Sequence, residues 1–64
     1  MIITDFSIEV EKYAILGNVW KHFCTTSKHE WENTLKGLRS TYPGLNLRAI
    51  KQITITEVIR EVIG

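Results

Sequence analysis

The chain has 64 residues, one cysteine and a formal net charge of +1. A chain of that length makes one domain, residues 1–64, that buries only roughly 60% of the surface its unfolded form exposes. A lone cysteine excludes an internal disulfide and fits a reducing, cytoplasmic compartment, and the near-neutral charge lacks the basic excess usual in DNA-binding domains. The longest apolar run, around Ala14 to Gly17, is far too short to span a membrane. The opening Met1-Ile2-Ile3-Thr4-Asp5 has no basic stretch leading into a long apolar one, so no signal peptide is expected.

The first element is a strand. Phe6, Ile8 and Val10 alternate with Ser7, Glu9 and Glu11, which gives one apolar and one polar face. A second strand follows from about Val19 to Thr25, rich in aromatic and β-branched residues. Gly17-Asn18 is the best turn signal between them. A turn there puts Phe6, Ile8, Val10, Ala14, Val19 and Phe23 on one face. A tighter turn at Glu11-Lys12 keeps the same parity.

A helix is predicted from about Lys28 to Thr41. Ser27 and Glu30 have capping-box spacing. Trp31, Leu35, Leu38 and Tyr42 recur on one helical face. Glu30 and Glu32 near the start, with Lys36 and Arg39 near the end, suit the helix dipole. Pro43-Gly44 then ends the helix.

A third strand is read from Leu45, Leu47, Ala49, Ile53 and Ile55 at alternate positions. Lys51 and Ile50 break the pattern, which suggests a bulge near 50–51. In the tail, Val58, Ile59, Val62 and Ile63 have helical spacing, while their β-branched content favours a strand. A short helix is preferred. The expected fold is α+β: a three-stranded sheet with one helix on a face, in the order β-β-α-β, plus a short C-terminal helix or strand.

The chemistry-bearing residues are sparse. On regular alternation His22 and Cys24 share a face, and His29 is close by. With Glu30 or Glu32 they make an incomplete zinc set whose carboxylates already have a role at the helix start. Cys24 near the helix N-terminus could be activated, yet a hydrolase also needs an oxyanion site and a cleft. No glycine-rich phosphate loop and no carboxylate pair for acid–base work is present. We therefore expect no enzyme, no metal and no cofactor. Lys36, Arg39 and Arg48 beside Tyr42 form at most a small basic patch.

Trp20 is more informative. It falls opposite Val19 and Phe23, on the side away from the helix, with His22 and Cys24. Tyr13 and Ile15 lie on that side too. This face is too apolar for plain solvent exposure, so the tail, a second copy or another protein should cover it. Tyr13, Ile15, Trp20 and His22 are the expected partner-binding residues. The build from Val19-Trp20-Lys21-His22-Phe23 through Ser27-Lys28-His29-Glu30-Trp31 to Leu45-Asn46-Leu47-Arg48 resembles, in architecture alone, small bacteriophage-encoded proteins that inhibit host machinery. That resemblance implies a non-enzymatic regulator or inhibitor that binds a larger protein in the host cytoplasm. The alternatives are a homodimer, or a small nucleic-acid-binding regulator. No functional residue carries over from the resemblance.

Overall fold

A computed structural model describes Met1–Gly64 in full. Five elements follow in order: β1 (Ile3–Ala14), β2 (Gly17–Thr26), α1 (Trp31–Thr41), β3 (Leu47–Thr54) and β4 (Val58–Val62). The strands form one sheet in the order β2-β1-β3-β4, with every neighbouring pair antiparallel. β2 and β3 both run opposite to the central β1, so they are parallel to each other and α1 joins them across it. The α+β class is as expected, but the sheet has four strands rather than three.

The fourth strand is the tail. Val58 to Val62 pairs with β3 from Thr54↔Val58 to Ile50↔Val62. Valine and isoleucine lose side-chain freedom in a helix and pack well on a pleated sheet, and here that preference outweighs the helical spacing. Beyond the strand, Ile63 donates its backbone N–H to the Ala49 carbonyl at 2.9 Å and packs on the core.

The first hairpin turns at Ile15-Leu16, with Ala14 opposite Gly17, and not at Gly17-Asn18 or Glu11-Lys12. Two-residue hairpins usually need positive φ within the turn itself. Here no non-glycine residue has positive φ, and Gly17, directly after the turn, takes φ +122°. Glycine adopts that conformation without the Cβ clash other residues suffer. The register differs from the expected one by an even number of residues, so Trp20 keeps its predicted face.

Parity then changes inside β2. Ile8 stands opposite Cys24, but Glu9 stands opposite His22, so Phe23 is an extra residue. This β-bulge turns Cys24 onto the helix side, where it packs against the core, and leaves His22 on the open side. The bulge expected at 50–51 is absent, because β3 pairs with β1 without interruption from Leu47 to Thr54. Ile50 is apolar because it is buried on the open face, between Ser7 and Val62 on the adjoining strands.

The core lies between α1 and the middle of the sheet, where Ile8, Val10, Leu35, Leu47 and Ala49 are buried. Trp31, Leu38, Cys24 and Ile63 pack around them. Val19 and Phe23 sit on the helix side as expected, but at its rim and substantially exposed. Phe23 meets Tyr42 in a tilted pair with centroids 6.2 Å apart.

The helix begins at Trp31, later than the sequence suggests, and no side chain caps it. Residues 27–30 form a turn in which the Ser27 carbonyl, not its hydroxyl, accepts from the Glu30 and Trp31 N–H groups. The capping box is thus not formed. Arg39 near the far end donates to the Leu47 carbonyl at 3.1 Å, which ties the helix to the start of β3.

Candidate functional interface

The β1–β2 hairpin projects from the sheet. β3 accompanies β1 only as far as Val10, and the last tie to the rest of the fold is at Glu11. There the Glu11 N–H meets the Asn46 carbonyl at 3.0 Å, and Asn46 Nδ2 donates to Glu11 Oε1 at 2.9 Å. From Lys12 to Val19 the two strands have only each other, an arm roughly 10 Å long at ordinary strand rise. Tyr13, Ile15 and Leu16 lie on it, with relative exposures of 94%, 102% and 100%. Tyr13 faces the open side opposite Asn18, and Ile15 and Leu16 are the turn itself.

The open face at the foot of the arm is organised around a buried carboxylate. Glu9 is only 5% exposed. Arg48, directly opposite it on β3, donates from Nε and Nη2 to Glu9 Oε1 at 3.0 and 2.8 Å. Arg60 of β4 reaches across β3 to bond Glu9 Oε2. Burial pushes the Glu9 carboxyl up, but the hydrogen bonds and charges of Arg60 and Arg48 outweigh it and hold Glu9 below the ordinary glutamate range. The Arg48 guanidinium lies over Trp20, 4.2 Å from the ring centroid, within cation–π range.

Of the expected partner-binding residues, Tyr13, Trp20 and His22 share the open face, and Ile15 stands at its tip. Trp20 is half-buried against Arg48, while His22 is exposed. The tail does not cover this face, since β4 extends the sheet sideways. Leu16, which the sequence reading does not single out, stands beside Ile15 in the turn and is equally exposed. Its signal was the glycine just after it, which marks the end of a turn rather than its centre.

Two sequence candidates come apart. The bulge places His22 and Cys24 on opposite faces, which separates the imidazole and thiol weighed as an incomplete zinc set, and no cluster of three or more metal-ligating side chains is present. Lys36, Arg39 and Arg48 do not form one patch, because α1 and Arg48 lie on opposite sides of the sheet and Arg48 is held by Glu9. No helix is long and apolar enough to cross a membrane.

The chain matches no known protein family, no curated protein and no solved structure.

Proposed function

We propose that the protein is a non-enzymatic regulator or inhibitor that binds a larger protein through the tip of its first hairpin. The observation that carries this is the full exposure of Tyr13, Ile15 and Leu16 together on an arm that no third strand supports. Scattered apolar side chains are ordinary on a surface, whereas a contiguous cluster marks an interaction site. A narrow projecting arm suits a concave acceptor such as a cleft or channel mouth, where its large side chains become desolvated anchors. An inhibitor of this kind would act by filling its target's cleft and needs no chemistry of its own.

The open face gives nucleic acid less support. Its two arginines are committed to Glu9, and Asp5 and Glu11 add negative charge to the same side. The test is affinity capture from extract with the wild-type chain and with Tyr13→Ser/Ile15→Ser/Leu16→Ser, with and without nuclease. A protein held by the wild type and released by the triple variant, whatever the nuclease treatment, supports the reading. Capture that vanishes on nuclease treatment, or binding that falls steeply with salt, points to nucleic acid instead.

A further inference from the structure

The two edges of the sheet are unlike. The outer edge of β2 carries the Phe23 bulge and the exposed Lys21, both devices that discourage strand pairing. β4 has neither. It is regular over Val58–Val62, contains no proline, and pairs with β3 alone. Its one cation, Arg60, is drawn inward over the sheet to Glu9, so it does not guard the edge. Val58, Ile59 and Val62 are each at least half exposed.

We infer that β4 is a dimerisation edge, which pairs antiparallel with β4 of a second copy. The occupant is argued from register. Ile63 directs its N–H at β3. Alternation along an antiparallel ladder then turns the N–H and C=O of Val58, Arg60 and Val62 outward. A two-fold axis at Arg60 is the register that overlaps the whole strand. It sets each Val58 against the other copy's Val62 and joins the edges by about six backbone hydrogen bonds. Arg60 meets its counterpart at the axis, with Glu9 behind each one to offset the repulsion. The strand is therefore complementary to itself, as an isologous interface requires.

The axis stands perpendicular to the sheet, so both helices lie on one side. The hairpin arms occupy the two far flanks and point in opposite directions, leaving the proposed partner-binding tips free. The inference does not depend on the hairpin reading.

The test is sedimentation of the wild type, Val62→Pro and Val58→Lys/Val62→Lys, with circular dichroism to confirm folding. Proline at Val62 removes an outward donor and spares the bonds to β3. The lysine variant leaves the backbone untouched and keeps the test decisive should the proline variant unfold. We expect a wild-type dimer at ~100 μM. Folded monomer is expected for the variants, and dimer is expected to persist in the hairpin-tip triple variant. A wild type that is monomeric at that concentration overturns the inference, as does a dimer unaffected by the lysine variant.

Discussion

Arg48 stacks on Trp20 with its guanidinium carbon 4.2 Å from the ring centroid and turns the same guanidinium into Glu9, which lies on the strand between them. One cation thus joins β1, β2 and β3 on the face the helix leaves open, and Arg60 adds β4. A polar network here does what the small core cannot do alone. It ties all four strands across their exposed side.

That network predicts a defined response to acid. Glu9 is held below its ordinary value, so its contribution is fully present above the unfolded glutamate pKa, about 4.3, and is lost as pH falls through the lower folded value. Glu9→Gln should cost about 1–3 kcal/mol at neutral pH, at the modest end because Arg60 is half exposed. Thermal melts from pH 7 to pH 3 check both points. The wild type should lose stability below about pH 4, and the gap between wild type and variant should narrow there. A constant gap across that range would show that the ion pairs contribute nothing.

The bulge at Phe23 predicts that two neighbouring positions behave oppositely. Cys24→Lys forces a charge against Ile8 and the core and should destabilise the domain by about 3 kcal/mol or more. His22→Lys stays on the exposed face and should change stability by about 0.5 kcal/mol or less. Regular alternation without the bulge puts both side chains on one face, and the two substitutions would then have similar effects. Urea unfolding of the two variants decides between them.

The helix start gives a second contrast. The Ser27 hydroxyl caps nothing, so Ser27→Ala should fall within about 0.5 kcal/mol of the wild type. Leu35→Ala removes a buried core side chain and should cost about 2–5 kcal/mol. A Ser27→Ala loss near 1 kcal/mol would restore the side-chain cap.

The parts of this fold that were legible in the sequence are those governed by local periodicity. The alternation of Phe6, Ile8 and Val10 and the spacing of Trp31, Leu35 and Leu38 each report a buried face directly. Cys24 was misplaced because a bulge depends on cross-strand register, which nothing around Phe23 signals. Ile50 was misread for a related reason. Its burial comes from strands on both sides of β3, and a pattern search along one strand registers it only as an irregularity. The tail was ambiguous because five residues of alternating and helical character look alike until a neighbouring strand is there to pair with. Tyr13 and Ile15 are partner-binding candidates in the sequence because alternation puts them on the apolar Trp20 face, whereas the overhang that exposes them follows from β3 ending opposite Val10, a tertiary fact.

The most direct measurement of whether the hairpin tip binds a larger protein is a binding titration with the captured partner once purified. Three chains are compared: the wild type, Tyr13→Ser/Ile15→Ser/Leu16→Ser, and Trp20→Ala. The triple variant should stay folded by circular dichroism, because its three side chains touch solvent alone, and should bind at least about 30-fold more weakly, the loss of a hot-spot cluster. Trp20→Ala should weaken binding less, since Trp20 supports Arg48 at the foot of the arm instead of standing at its tip. A folded triple variant that binds with wild-type affinity would contradict the account and move the interface elsewhere on the molecule.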